Sequence, residues 1–181
     1  MPKIISNLKE ELMIKGKDIL VHKGYNALNI RDLAKNCNIG IGTFYNYYQN
    51  KDELVRGIIK TDWEKIVKET NLKIYNSDGG FKEKIYIIYD GIYRFLSNYL
   101  DTFMVMVSAG GKKHRSDKIL IPYENILKDL LVLHKEKGDI SYTIPDGKLA
   151  KLILSNIIYI CRDRSITFEE FYLSLNFKIN S

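Results

Sequence analysis

The sequence contains few of the residues that mark disulfide-rich, metal-binding or membrane proteins. It has two cysteines and three prolines in 181 residues. Cys37 and Cys161 lie far apart, each within an apolar helical pattern, so we expect both thiols to be buried packing groups and expect no redox pair or metal site. No segment approaches the roughly 18 consecutive apolar residues of a membrane span, and the N-terminus lacks the apolar core of a signal peptide. The expected location is therefore the cytoplasm.

The usual signatures of catalysis are also missing. The chain has no glycine-rich phosphate loop, no nucleophile elbow and no histidines and cysteines at metal-ligand spacing. Of its three histidines, His22 and His134 are expected at the surface, and His114 falls in a basic stretch at 112–115 that we expect to be an exposed loop. We therefore predict that the protein is not an enzyme and that it needs no metal or cofactor.

The composition instead suits a helical globular protein with a basic N-terminal part. Apolar residues make up 45% of the chain, which at this length suffices to bury roughly 70% of the unfolded surface. Residues 1–60 hold 10 Lys or Arg against 6 Asp or Glu, whereas residues 61–181 hold 18 against 16. This excess fits a polyanionic partner such as nucleic acid, because neutralised phosphates release counterions. A solvated basic surface is the alternative.

Apolar residues recur at helical spacing along most of the chain, which predicts an all-α fold. A first amphipathic helix should run from Leu8 and end at Gly24, where glycine tolerates a left-handed conformation. Asn50 and Glu53 resemble a capping box that starts a long helix, and 77–80 is a loop. Further helices are expected at about 81–99, 101–109, 117–137, 145–162 and 167–178, with a break at Gly110-Gly111.

The segment from Asn29 to Leu54 has the layout of a helix-turn-helix. Asn29 is placed to cap a helix whose apolar or small residues at 30, 33, 34 and 37 share one face, and Asn38 and Gly40 break it. In the next short helix Phe44 and Tyr48, four residues apart, can both point inward. The remaining face exposes Thr43, Tyr45, Asn46 and Tyr47. We interpret this as two helices across a tight turn.

These residues resemble the TetR (tetracycline repressor-like) family of transcriptional regulators. The resemblance rests on Ile30-Arg31-Asp32-Leu33-Ala34, then Gly42-Thr43-Phe44-Tyr45-Asn46-Tyr47-Tyr48, then Lys51 and Leu54. It covers about residues 8 to 60, and the rest of the chain matches only in length and helicity. It implies a helix-turn-helix DNA-binding domain at 1–50 and a helical ligand-binding and dimerisation domain at 51–181. The implied function is a ligand-responsive repressor that binds a near-palindromic operator sequence as a homodimer. A nonspecific or architectural nucleic-acid-binding protein is the alternative.

The resemblance also implies which side chains contact DNA. Thr43, Tyr45, Tyr47 and Lys51 match family positions that commonly meet the phosphate backbone, and Arg31 matches one that reaches a base edge. Arg31 suits the O6 and N7 acceptors of guanine, and from their side-chain chemistry Asn46 suits adenine and Ile41 a thymine methyl. Gly42 would let the backbone approach closely. An ion pair of Arg31 with Asp32 or a neighbouring acid, and plain packing of Tyr45 and Tyr47, remain alternatives.

Three departures from the family pattern affect this interpretation. Gly40 and Ile41 stand where a capping or polar residue is common, so the start of the recognition helix offers few base-directed hydrogen bonds. Leu28-Asn29 replaces the customary Thr-Thr, but Asn is itself a strong N-cap. Gly16 interrupts the first helix, which either costs about 1 kcal/mol or marks a close helix contact.

The C-terminal part has to supply a dimer interface and a ligand pocket. The family implies an interface through the last two helices, about 146–162 and 167–178. They carry two largely apolar stripes: Leu149, Leu152, Ile153, Asn156, Ile157 and Ile160, and Phe168, Phe171, Tyr172 and Leu175. One stripe could simply cover the core. Candidate pocket residues are aromatic, sulfur-containing or acidic: Trp63, Tyr86, Tyr89, Asp90, Tyr93, Phe103, Met106 and Tyr123. Core packing is the alternative for these side chains as well.

Overall fold

A computed structural model describes residues 7–108 and 119–177 of the chain. It confirms the all-α class, with no β-strand in these two ranges. The helices are α1 (Leu8–Lys23), α2 (Ile30–Asn36), α3 (Ile41–Tyr45), α4 (Lys51–Asn76), α5 (Phe81–Ser108), α6 (Ile121–Glu136), α7 (Asp146–Asp163) and α8 (Phe168–Ser174), with a 3₁₀ turn at Tyr25–Ala27. None of these helices is both long and apolar enough to cross a bilayer. The Gly110-Gly111 break, His114 and the basic stretch around it lie outside the described residues.

Several expected helix boundaries are confirmed and two are wrong. α1 ends before Gly24, whose φ of 79° is the positive value that glycine tolerates. The expected break between 99 and 101 does not occur, because no glycine or proline lies near Leu100 and α5 runs through it with Tyr99 and Thr102 on the buried side. α8 stops at Ser174, short of the expected end near 178, and Asn176 follows with a positive φ of 44°.

The chain divides into two compact units. The first comprises Met1–Glu64 and Asn98–Lys113, of which residues 7–64 and 98–108 are described; the second comprises Lys65–Ser97 and His114–Ser181, of which 65–97 and 119–177 are described. Both long helices, α4 and α5, therefore contribute to each unit. The functional boundary at residue 50 stays a prediction.

In the first unit, α1, α2, α3 and the start of α4 share an apolar core. Its fully buried members are Leu8, Leu12, Leu20, Leu28, Leu33, Phe44, Leu54 and Ile58. A Cβ built on Gly16 would lie 3.1 Å from Cδ1 of Ile58 and 3.4 Å from Cδ2 of Leu54. Gly16 is therefore a point of close contact between α1 and α4, which is the second of its two expected roles.

A buried carboxylate links three helices of this unit. Asp62 on α4 is only 7% exposed. It accepts a hydrogen bond of 2.8 Å from the Tyr99 hydroxyl on α5 and forms an ion pair with Lys17 on α1. Burial, with the hydrogen bond to Asp62 as the second cause, raises the pKa of Tyr99 far above its ordinary value. A carboxylate is tolerated inside this core because both partners compensate its lost hydration.

In the second unit, α4, α5 and α6 meet at Gly91. The hydroxyls of Thr70 and Tyr123 are hydrogen-bonded at 3.0 Å, and both residues are fully buried. A Cβ on Gly91 would lie 2.5 Å from Oγ1 of Thr70 and 2.7 Å from the hydroxyl of Tyr123. Glycine in the middle of α5 thus makes room for a polar contact between α4 and α6.

His134 does not lie at the surface as expected, whereas His22 is exposed. His134 is 3% exposed, its Nδ1 lies 2.7 Å from Oδ2 of Asp139, and its ring packs edge-on against Phe81. The cause is the loop after α6. Gly138 takes a φ of 81°, and the backbone N–H groups of Asp139 and Ile140 donate back to the carbonyl of His134, so the loop covers a side chain that helix periodicity assigns to solvent.

We predict that Gly91→Ala destabilises the protein although alanine favours helices by about 1 kcal/mol. The added methyl group would displace the Thr70 and Tyr123 hydroxyls from each other. Gly57→Ala in α4 is the matched control, since its Cβ meets only a Tyr48 ring carbon at an ordinary 3.8 Å. Urea unfolding should show a lower midpoint for Gly91→Ala and an unchanged or higher one for Gly57→Ala. A stabilised Gly91→Ala variant would contradict the close approach.

We also predict that stability falls in alkali from about pH 10 upward. Burial raises the pKa of Tyr123, and burial with a hydrogen bond to Asp52 raises that of Tyr25, to about 12 in both cases. The folded state therefore keeps protons that the unfolded chain releases above pH ~10, so folding free energy is lost as the pH rises toward 12. Urea midpoints across this range, with ultraviolet phenolate absorbance of native and unfolded protein, measure the effect. A midpoint that stays constant up to pH ~12 would contradict it.

Candidate nucleic-acid interface

The first helix of the candidate interface, α2, is capped and packed as the sequence predicts. Oδ1 of Asn29 accepts hydrogen bonds from the backbone N–H of Arg31 at 2.8 Å and of Asp32 at 3.4 Å. Leu33, Ala34 and Cys37 are buried. This arrangement fixes the buried side of α2 and leaves the side that carries Arg31 in solvent.

The turn between α2 and α3 depends on Asn38. Its φ is 53°, a left-handed conformation that asparagine tolerates better than most residues, and the N–H of Ile39 donates to the carbonyl of Ala34. Gly40, the N-cap of α3, has an ordinary extended backbone with φ −69°. The sequence predicts that Asn38 and Gly40 together break the helix, but in the structure Asn38 makes the turn.

The candidate recognition helix α3 is only five residues long and is anchored by aromatic packing. Phe44 is fully buried and Tyr48 is 4% exposed, with ring centroids 5.8 Å apart, so the expected inward pair is confirmed. Ile41 and Tyr45 are 40% and 50% exposed, and Gly42 and Asn46 are also exposed. Thr43 and Tyr47 are half-buried. The side chains proposed to meet DNA therefore surround the side of α3 opposite its anchor.

Arg31 lies exposed on α2, and in the described part of the chain it forms no ion pair with Asp32 or any other acid. The ion-pair alternative for Arg31 therefore finds no support in this structure. Tyr45 touches Phe44 edge to face at a centroid distance of 5.5 Å but keeps half of its surface in solvent. Its ring is partly packed and still accessible to a ligand.

The start of α4 carries the last candidate, Lys51. Of the two hydrogen bonds of the expected capping box, one forms as expected and the other involves Gln49. Oδ1 of Asn50 accepts from the N–H of Glu53 at 2.9 Å, as expected. The Glu53 carboxylate, however, accepts from the N–H of Gln49 at 2.6 Å. Lys51 follows as the first residue of α4 and is half-buried.

Tyr25 lies against Lys51, a neighbour that the sequence analysis did not identify. The Lys51 ammonium lies 4.0 Å from the centroid of the Tyr25 ring, and the Tyr25 hydroxyl donates to the Asp52 carboxylate. Burial lowers the pKa of Lys51, while the neighbouring Asp52 opposes that shift. Tyr25 lies in the 3₁₀ turn after Gly24, which is too short to show a periodic pattern. The only signal in the sequence was that Tyr25 is an aromatic residue shortly before the capping Asn29.

The candidate interface is the short helix α3, anchored by buried Phe44 and Tyr48. The exposed Arg31 guanidinium precedes it on α2, and the Lys51 ammonium follows it on α4. An α-helix fits a DNA major groove about 12 Å wide, and cationic side chains beside it neutralise phosphates. A comparison of the sequence with protein-family models matches residues 15–58 to the bacterial regulatory proteins of the tetR family. The helix-turn-helix part of the chain belongs to this family. The match spans the helix-turn-helix from within α1 to within α4.

Relatives and solved structures agree with this assignment. The chain is 24% identical over 124 residues to the helix-turn-helix dhaKLM operon transcriptional activator DhaS of Lactococcus lactis, an alignment that covers 68% of this chain and 60% of DhaS. A putative TetR-family regulator from Rhodococcus superposes with a TM-score of 0.65 at 11% identity, over 94% of this chain and 95% of the other. FadR of Bacillus subtilis in complex with stearoyl-CoA gives 0.60 at 18% identity, over 92% and 93%. At such identities the superpositions establish the fold alone. Membership of a family of regulatory proteins agrees with the expectation that the chain is not an enzyme.

The residues proposed for a ligand pocket occupy different environments. On α5 of the second unit, Tyr86, Tyr89 and Tyr93 form a row with centroids 5.9 Å apart, and Phe168 packs against the first two. Tyr123 is engaged with Thr70 in the core. Asp90, also proposed for the pocket, forms ion pairs with Arg94 at 3.1 Å and Lys73 at 3.9 Å. The remaining proposed pocket residues, Trp63, Phe103 and Met106, belong to the first unit.

A groove of about 390 Å³ lies elsewhere in the second unit, between α4 and α6. Apolar side chains and three polar ones line it: Val67, Ile74, Pro122, Ile126, Leu130 and Leu133, with Asn71, Asn125 and Asp129. None of the residues proposed from the sequence belongs to this lining. The spacing of Asn125 and Asp129, four residues apart and so on one side of α6, was a signal that could have indicated it.

The apolar stripes proposed for dimerisation lie mostly inside one protomer. Leu149, Ile153, Ile157, Ile160, Phe168 and Phe171 are all buried. What remains outside on the last two helices is Leu152 and Tyr159 on α7, 52% and 54% exposed, and Leu173 on α8, 75% exposed. Most of both stripes therefore covers the core of one chain, a role that the sequence left open for one of them.

Proposed function

We propose that this regulator is a repressor that binds a near-palindromic operator as a homodimer and releases it when a small molecule binds. The observation that carries the DNA-binding part is that four side chains are exposed together on the helix-turn-helix: Arg31 on α2, and Ile41, Tyr45 and Asn46 on or next to α3. Phosphate contacts from Thr43, Tyr45, Tyr47 and Lys51 would position the helix, and Arg31 would read a base. A protein acting on chromosomal DNA works in the bacterial cytoplasm.

Repression and activation are the two possible signs of regulation. DhaS is named as an activator, so similarity to it does not favour repression. Binding that overlaps a promoter represses by excluding polymerase, and this remains our proposal. Transcription from the bound promoter with and without the protein separates the two outcomes.

The dimer proposal rests on the remaining exposed face of α7 and α8. Leu152 and Tyr159 are seven residues apart and so lie on one side of α7, and Leu173 adds an apolar side chain from α8. A symmetric dimer buries the same patch on both copies. It would present two recognition helices about 34 to 36 Å apart, or somewhat more, which matches successive major grooves on one side of the duplex.

The ligand proposal rests on the groove between α4 and α6. Its volume falls in the range of small-molecule sites, and it combines apolar walls with three polar groups. The groove borders the second-unit part of α4, and the same helix begins at Lys51 beside the recognition helix. A ligand releases the operator only if it binds the DNA-incompetent conformation more tightly. The tyrosine row on α5 is the other candidate site.

The decisive experiment is binding of the purified protein to fluorescent duplexes from the upstream region of its own gene, against a scrambled duplex, across a salt series. A strong preference for one near-palindromic segment supports the proposal. Equal affinity for every upstream and scrambled duplex favours the architectural alternative, which also predicts a steep salt dependence. No binding at low salt would refute DNA binding.

Two substitutions should separate base reading from phosphate binding. Arg31→Ala is expected to cost about 1 to 3 kcal/mol on the operator and to relax the preference at one base pair. Lys51→Ala should weaken operator and scrambled DNA alike and reduce the salt slope by about one. Affinity on operator variants, measured by fluorescence anisotropy, distinguishes them. Equal losses on both duplexes for Arg31→Ala would remove Arg31 from base reading.

The dimer surface is tested by introducing a charge at an apolar contact. Leu152→Glu should shift the protein toward monomer, because it would place two carboxylates in an apolar interface. Leu72→Glu on α4 is the matched control, since Leu72 is also 52% exposed but lies on neither of the last two helices. Sedimentation velocity over a concentration series measures the distribution. Wild-type protein that stays monomeric, or a Leu152→Glu variant as dimeric as wild type, would contradict this interface.

A further inference from the structure

We infer that Tyr25 is a positioning residue for the phosphate contact of Lys51: its ring holds the ammonium in place at the start of α4. This inference rests on the proposed function, because it concerns how the helix-turn-helix binds DNA. It adds a residue that is not among the individual positions on which the family resemblance rests, since those run from Ile30 to Leu54.

The contact between the two side chains is direct. The Lys51 ammonium lies 4.0 Å from the centroid of the Tyr25 ring, well within the distance of about 6 Å at which a cation is attracted to a ring face. Lys51 is half-buried, so the ammonium has lost part of its hydration and the attraction is stronger than at an open surface. In the described residues no carboxylate forms an ion pair with Lys51.

Tyr25 is itself held at both ends. Its backbone belongs to the 3₁₀ turn that follows Gly24, and the N–H of Leu28 donates to the carbonyl of Tyr25 at 3.2 Å. Its hydroxyl donates to the carboxylate of Asp52, the residue next to Lys51. The ring is therefore fixed between the end of α1 and the start of α4, and it cannot move away from the ammonium without breaking the bond to Asp52.

This restraint affects DNA binding through entropy. A lysine side chain has four rotatable bonds, and immobilising it against a phosphate costs conformational freedom. An ammonium that already rests on a fixed ring has lost part of that freedom before DNA arrives. Tyr25 thus increases affinity through Lys51 without having to touch DNA.

A double-mutant cycle tests this coupling. Tyr25→Leu should weaken operator binding about two- to five-fold in the wild-type background, the factor that corresponds to a cation–ring attraction of 0.5 to 1 kcal/mol. In the Lys51→Ala background it should cause no further loss. Tyr25→Phe should keep most of the affinity, because the ring remains. An equal loss from Tyr25→Leu in both backgrounds, or none in either, would overturn the inference.

The second unit offers a matched control. The Lys135 ammonium lies 4.5 Å from the centroid of the Tyr142 ring, and the Tyr142 hydroxyl donates to Asp146 at 3.1 Å. The same three residue types are combined there outside the helix-turn-helix, so Tyr142→Leu should leave operator affinity unchanged. A loss equal to that of Tyr25→Leu would mean that disturbing any such cluster harms the protein, and would overturn the specific role of Tyr25.

A measurement on the wild-type protein keeps the inference testable if Tyr25→Leu fails to fold. The ε-methylene protons of Lys51 should resonate upfield of those of exposed lysines because they lie over a ring face, and unshifted resonances would overturn the contact. Failure of the wild type to bind any duplex at low salt would overturn the proposed function together with this role. Specific binding by the wild type with additive losses in the cycle would overturn the role of Tyr25 alone.

Discussion

The buried carboxylate of Asp62 is the interaction on which the first unit depends most. An ionised group inside an apolar core is costly unless its hydration is replaced, so α1 has to supply Lys17 and α5 has to supply the Tyr99 hydroxyl. The three helices can then pack in only the register that brings these groups together. Apolar contacts alone would tolerate small sliding movements, because they have no direction. The carboxylate therefore ties the helix-turn-helix unit to both long helices, α4 and α5.

The second unit contains a contact between helices that is specified as tightly. α4 and α5 each begin in one unit and end in the other, and Asp62 and Tyr99 lie on the parts of them that belong to the first unit. In the second unit the same two helices meet α6 at Gly91, where a glycine and a hydrogen bond leave no space for adjustment. A ligand that displaced either helix near α6 would strain this contact within the second unit.

Local patterns explain why the helix-turn-helix was predictable and the groove between α4 and α6 was not. Asn29, Phe44 and Tyr48 act through neighbours within a few residues, so spacing and capping chemistry determined their roles. His134 was misplaced because a loop five residues further on folds back over it. The stripes on the last two helices could not be divided between core and interface from the sequence, because periodicity shows that a face is apolar but not whether another helix of the same chain covers it. The groove residues come from α4 and α6, separated by about fifty positions, and no local pattern joins them.

The chemistry of α3 suggests how such a small recognition element achieves specificity. The exposed side of this helix has few groups that hydrogen-bond to base edges, since Ile41 and Gly42 occupy its start. On the proposed function, specific readout would depend on Arg31 from α2 and on how accurately the backbone contacts orient α3 in the groove, because a small tilt would move every base contact. Buried Phe44 and Tyr48 fix the helix from within, and the proposed phosphate contacts at its edges would fix it from outside. Tyr25 belongs to this second group: by restraining Lys51, it would sharpen orientation as well as affinity.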